Sequence, residues 1–402
     1  MTGDDRFRTR GQPSALAAIE AMLRSGVPHA LLLAGPSGVG KRTLADDVAA
    51  ALLCRGEDVA ARPDRTCRAC RALEHGNHPD LHRLGPSGPG NVIPIGGRDE
   101  RGVRDLVRDL ALMPVEGGLR VAIVADADRM TEDAQSAFLK TLEEPPAGTV
   151  LLLTAADEER LLPTIRSRVI RIRVAPVARA AVEQLLVEGG FADAPAAARL
   201  ARLAAGRPGD AVALARSPEA ITIRGEIART LLDLPRATRA ERLRLGRDLL
   251  ARAGALVAAV RAAATVAGTT DDAAPARKGG GRGRKASAAP AATVEAGEEG
   301  APAGAGAPRV PAAERRSAAL ALVGIWRDVA RDLALVAIGE AAAVRGVDLL
   351  DDLELAGGSL PVEFPAEQLR RLDVAGERLE GNVSPELVID ALALGWFGRA
   401  AA

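Results

Sequence analysis

Lys41 follows the run Gly35-Pro36-Ser37-Gly38-Val39-Gly40 and is itself followed by Arg42 and Thr43. Glycines at this spacing, after an apolar run and before a helical pattern, let backbone N–H groups close around phosphate oxygens. The lysine reaches the outer phosphates, and the helix N-terminus adds its positive dipole end. Gly35, Gly38, Gly40 and Lys41 are therefore the expected nucleotide contacts. The same pattern uses a hydroxyl directly after the lysine as a magnesium ligand. Here that position is Arg42, and Thr43 comes one residue late, about 100° further round a helix. The cradle suits a phosphate better than it suits the cation that accompanies one. A second group capable of ligand chemistry is Cys54, Cys67 and Cys70, the last two in a CxxC pair.

These residues need a frame. Apolar runs at Ala30–Ala34, Leu81–Leu84, Arg120–Ala125, Thr149–Thr154 and Val169–Val174 alternate with helical patterns near 14–25, 41–53, 100–112 and 131–143. That order predicts an α/β domain with a parallel sheet. Alanine-rich helical text from about 176 to 216 predicts a small lid, and further helices run from 218 to 265 and from 314 to 402. The interval Gly268 to Ala313, rich in Ala, Gly and Pro, has too few large apolar side chains to offset the entropy of ordering. Its basic run Arg277, Lys278, Arg282, Arg284 and Lys285 reads as a solvated charge run before it reads as a nucleic-acid arm, since Glu295, Glu298 and Glu299 offset it. The stretch Leu320 to Val344, broken by Arg327, Asp328, Arg331, Asp332 and Glu340, reads as an amphipathic helix pair and excludes a membrane span.

Composition narrows the classes further. A chain of 402 residues predicts two or three domains. Zero formal net charge removes any bulk electrostatic case for nucleic acid, and 2% aromatic residues without a tyrosine leave few stacking platforms. The N-terminal MTGDDRFRTR lacks the apolar core of a signal peptide, and sparse cysteine favours a reducing, cytoplasmic setting.

Several stretches together carry a resemblance: RGQPSALAAIEAMLRSGVPHALLLAGPSGVGK, HPDLHRL from His78, ADRMTEDAQSAFLKTLEEPP from Ala127, LLPTIRSR ending at Arg168, and NVSPELVIDALAL near the C-terminus. The chain resembles the clamp-loader subunits of bacterial DNA polymerase III, which are AAA+ proteins, over nearly everything except 268–313. FLKTLEEPP followed by TIRSR after a phosphate loop is specific to that group.

The resemblance assigns roles. In an active AAA+ ATPase the strand after Arg120 would end Asp-Glu-Ala-Asp; here it ends Ala125-Asp126-Ala127-Asp128. The metal-orienting carboxylate is replaced by Ala125, and Asp126 is shorter than a water-activating glutamate. Arg42 and Ala125 thus fall on the same magnesium ion and argue against hydrolysis, although ATP binding is implied. Thr154 falls at the first sensor position, where an ordinary strand-end threonine would serve equally well. Asp210 stands where the second sensor arginine is expected, with Arg207 nearby. Arg168 matches the arginine that projects into a neighbour's ATP site; a permanently charged guanidinium can fork onto a developing phosphoryl charge. The bland alternative is that Arg166, Arg168, Arg171 and Arg173 only decorate an edge strand.

The family also carries a structural zinc knob after the loop helix. Counting back from Cys70 puts Asp64 where a fourth cysteine is expected, so the implied ligand set is Cys54, Cys67, Cys70 and Asp64, with His75 as a substitute and unliganded thiols as the alternative. Trp326 and Trp396 lie in the region that resembles the collar. The expected organisation is a P-loop domain over 1–175 with a knob at 54–78, a lid over 176–216, and a helical collar over 217–402 interrupted at 268–313. The implied role is a non-motor stator. Its neighbours would be gamma/tau and delta subunits, with the sliding clamp and primed DNA reached through the assembly. A gamma/tau-type motor ATPase is the rival reading, and a DNA-binding module acting through 277–285 is a third.

Overall fold

A computed structural model describes residues 6–88, 91–97, 100–116, 118–266, 310–357, 363–381 and 383–396. Five parallel strands, β1 (Ala30–Ala34), β2 (Leu81–Leu84), β3 (Arg120–Val124), β4 (Thr149–Ala155) and β5 (Ile170–Arg173), lie in the order β2-β3-β4-β1-β5. The three central strands are buried on both faces, which is why their interiors are runs of Leu, Val, Ile and Ala rather than an alternation of apolar and polar residues. Register sets Leu33 beside Thr154 and Ala34 beside both Ala155 and Arg173.

Strand pleating sorts the side chains onto two cores. On one face Leu31, Leu33, Ile123 and Leu152 pack under α1 (Pro13–Ser25) and α2 (Lys41–Leu53), with α3 (Arg68–Glu74) beside α2. On the other, Leu32, Val124 and Leu153 meet Leu106 of α4 (Val103–Leu110) and Phe138 of α5 (Glu132–Glu143). The one-turn helix α6 (Pro163–Arg166) leads into β5, which is an edge strand with one buried residue, Ile172.

Helices α7 (Arg179–Glu188), α8 (Ala194–Ala204) and α9 (Pro208–Ala215) share a small core around Val182, Leu186 and Leu200. The remaining helices, α10 (Pro218–Asp233), α11 (Arg239–Val266), α12 (Ala312–Ala337), α13 (Leu350–Gly357), α14 (Glu363–Glu380) and α15 (Pro385–Gly395), enclose a separate core centred on Leu231, Leu322, Trp326 and Trp396.

Two expectations change. The stretch from Leu320 begins within one long helix, α12, and not a helix pair; a short 3₁₀ turn at Ala341–Ala343 follows it. Its charged positions are accommodated because Asp328 receives Arg224 and Arg345, and the buried Asp332 receives the Arg345 and Gly346 amides. The same helix starts at Ala312, inside the interval expected to lack structure. The basic run 277–285 lies outside the described residues.

Candidate functional site

The glycine loop joins β1 to α2 under close steric limits. A Cβ on Gly35 would lie 1.9 Å from the Val174 carbonyl oxygen, and Gly38 and Gly40 adopt φ of +79° and +97°. Only glycine meets these conditions without strain. Lys41 is 6% exposed, and its ammonium donates to the carbonyls of Gly35 at 2.6 Å and Pro36 at 2.8 Å. Burial lowers its pKa, while Asp126 and Asp128 pull the other way.

A cavity of about 340 Å³ opens beside the loop. Its walls include Arg42 and Thr43 from α2, Ala125, Asp126 and Thr154 from the strand ends, Leu185 and Pro208 from the lid helices, and Arg8, Thr9 and Arg10 from the N-terminal segment. Asp126 has a left-handed backbone, φ 49°, and donates its N–H to Thr154 Oγ1 at 2.9 Å. This bond knits the ends of β3 and β4 and leaves the Thr154 hydroxyl proton available. Ala125 brings only a methyl group to the cavity wall. Arg207 turns to the Ala204 carbonyl at 3.0 Å and to Asp210 at 3.2 Å. A Cβ built on Gly38 would lie 3.1 Å from Asp210 Oδ1, so α9 brings a carboxylate to the glycine loop. Sequence reasoning missed Arg8–Arg10 as cavity wall; the alternating arginines of RFRTR were the available signal.

Arg168 lies elsewhere, after α6 on the β5 edge. Its guanidinium donates to Thr164 O at 2.8 Å and Ser167 Oγ at 3.2 Å, and pairs with Glu143 at 2.6 Å. The cavity wall does not include it. Its edge neighbours Arg166 and Arg171 pair with Glu159 and Glu158.

The cysteines converge. One ligand atom from each of Cys54, Asp64, Cys67 and Cys70 lies within 4.8 Å of the others, whereas exposed His75 points its Nδ1 at Arg71 O, 2.7 Å away. Cys54 and Cys67 sulfurs are 3.9 Å apart, close to the roughly 3.8 Å edge of a tetrahedron with Zn–S near 2.3 Å. Backbone N–H groups of Gly56 and Asp64 point at the Cys54 sulfur, and that of Cys70 at Cys67. Asp64 is held down to about 2 by the N–H groups of Cys67 and Thr66. Donors already aimed at three of the four ligands, with a carboxylate ionised at neutral pH, fit a zinc ion.

Residues 11–178 match the family described as DNA polymerase III, delta subunit. Over that segment the chain is similar to this family. A DNA polymerase III subunit delta' of Pseudomonas aeruginosa is 40% identical over 182 residues, covering 45% of this chain and 53% of the relative. The Escherichia coli subunit tau is 31% identical over 210 residues, 51% of this chain and 31% of the relative. A gamma subunit-related protein of Thermotoga maritima has a TM-score of 0.34 at 16% identity, covering 96% of this chain and 100% of that one. The chain spans about half the length of the delta' relatives it matches. Among the described residues no helix is long and apolar enough to cross a membrane.

Proposed function

We propose that the chain is a delta-prime-type, non-motor subunit of a DNA polymerase III clamp loader. Its three units would be a P-loop domain over 1–175, a lid over 176–216 and a collar over 217–402. Its neighbours would be gamma/tau and delta subunits, and the assembly would load a sliding clamp on primed DNA. One contrast carries the reading. The chain's own cavity has Ala125 and Arg42 where magnesium chemistry needs a carboxylate and a hydroxyl, while Arg168 stands outside that cavity on an exposed edge. ATP in the cavity would meet Gly35, Gly38, Gly40, Lys41, Thr43, Asp126 and Thr154 without an ordinary route to hydrolysis. Zinc on the cysteine group would be structural, since four protein ligands leave no open position.

A guanidinium supplied in trans is worth roughly 10³ to 10⁵ in GTPase systems. Arg168→Ala should therefore leave assembly with the gamma/tau and delta subunits intact and lower the DNA-stimulated ATPase of the complex by roughly ten-fold or more. An unchanged rate refutes the finger role. Magnesium-dependent turnover by the isolated chain would instead favour the motor reading.

A further inference from the structure

The helix that begins at Lys41 ends at Leu53 and is capped by Cys54, so α2 joins the phosphate loop to the cysteine knob. Midway along it sits Asp47, 0% exposed. One carboxylate oxygen accepts the Arg8 N–H at 3.0 Å and the Arg65 guanidinium; the other accepts the Thr9 N–H at 2.8 Å and the Thr9 hydroxyl at 2.7 Å. Arg8, Thr9 and Arg10 form one side of the wall of the cavity beside the glycine loop. The knob grips the same segment from outside. Arg65 Nε donates to Arg6 O at 2.8 Å, Arg6 reaches back to Ala60 O, and Arg8 pairs with Glu74 of α3 at 2.5 Å. Arg65 follows the ligand Asp64 directly and adopts φ 56°, a left-handed backbone that an arginine takes only under constraint.

We propose that the cysteine knob is the buckle of an N-terminal strap. A metal ion on Cys54, Asp64, Cys67 and Cys70 fixes Arg65 and α3, and these hold Arg6 to Arg10 against the cavity through Asp47, the positioning residue. Metal occupancy and access to the cavity are then linked, and by reciprocity an occupant that rests on the strap tightens the metal. The inference rests on the zinc reading above and is independent of the role of Arg168.

The test uses the full chain purified with zinc, and reads zinc content, hydrogen exchange of the Arg8 and Thr9 amides, and tryptic cleavage after Arg8 and Arg10. One zinc per chain is expected. Chelation should speed exchange at Arg8 and Thr9 by roughly ten-fold or more, while Leu152 in the central sheet stays protected. Arg65→Gln, which leaves every ligand in place, should release the strap with zinc retained; Asp47→Asn should do the same where it folds. Absence of zinc overturns both the metal reading and the buckle. Zinc present with equal strap protection before and after chelation, or a strap unaffected by Arg65→Gln, overturns the buckle alone.

Discussion

Asp210 reaches the glycine loop from the first turn of α9, and its charge opposes any phosphate seated there. Its partner Arg207, at 3.2 Å, is engaged by this ion pair and by the Ala204 carbonyl. Burial pushes the Asp210 carboxyl upward, against the pull of Arg207. Asp210→Asn removes the repulsion and leaves Arg207 held by the Ala204 carbonyl alone, so both consequences have the same sign. A like-charge contact through water at 4 Å is worth about 1 kcal/mol, or roughly a five-fold change in affinity. Titration with a fluorescent ATP analogue should show tighter binding by about that factor in Asp210→Asn. Acidification should narrow the gap, because protonation neutralises the native carboxyl as pH falls through its raised value. Equal affinities at neutral pH would show that the carboxylate is not what limits this cavity.

At the scale of elements, the His78-Pro79-Asp80 segment explains how the loop after α4 keeps its shape. Asp80, 2% exposed, accepts the Val115 N–H at 2.7 Å and the Glu116 N–H at 3.0 Å, while His78 Nδ1 accepts the Asp80 N–H at 3.1 Å. That bond puts the imidazole proton on Nε2, facing Glu116 at 3.7 Å. Burial holds the His78 pKa below its usual 6.5, outweighing Glu116 and Asp80. A depressed histidine contributes stability that is present above the unfolded value and is lost as pH falls through 6.5 toward the folded one. The thermal midpoint should therefore drop between pH 7 and pH 5. His78→Asn, which retains an acceptor for Asp80, should reduce that drop, with His82, also lowered by burial, supplying the remainder. A pH dependence unchanged by the substitution would remove His78 from the account. Much at this scale was legible in the sequence: β1, β3 and β4 are apolar runs ended by glycine or Asp/Asn-type turns, and α2 is announced by its loop. What was not legible depends on distant partners. The charges in α12 read as a break because Arg224 and Arg345, which satisfy Asp328, are 104 and 17 residues away. The N-terminal strap was invisible for the same reason, since Asp47 gives no local signal of what it holds.

At the scale of the molecule, the sheet region, the α7–α9 helices and the C-terminal helices differ in what reports on them, and Leu214 of α9 packs on both helical cores. Arg160 with Glu380, at 2.6 Å, and Arg199 with Asp348, at 3.7 Å, link the sheet region and lid to the C-terminal helices. Exposed pairs of this kind contribute about 0–1 kcal/mol each, too little for the Arg160–Glu380 pair to force the sheet and the C-terminal helices to unfold together, whereas α9 is tied to the C-terminal helices by Leu214 as well. Both tryptophans of the chain, which has no tyrosine, lie in the C-terminal core with ring centroids 5.4 Å apart. Trp396 ties that core together: its Nε1 donates to Leu231 O at 3.0 Å, and Arg242 donates to its carbonyl at 2.9 Å. Intrinsic fluorescence therefore follows one unit, whereas far-ultraviolet circular dichroism follows all of them. In urea the two signals should diverge. Trp396→Ala, a large-to-small change in a filled core, should cost about 3–5 kcal/mol and move the fluorescence transition, still read from Trp326, to lower urea. The dichroism should then split, with a phase from the parallel sheet remaining near its original midpoint. Coincident transitions that shift together in the variant would mean that the sheet and the C-terminal helices unfold as one cooperative body, and the three-unit organisation proposed here would fall with that result.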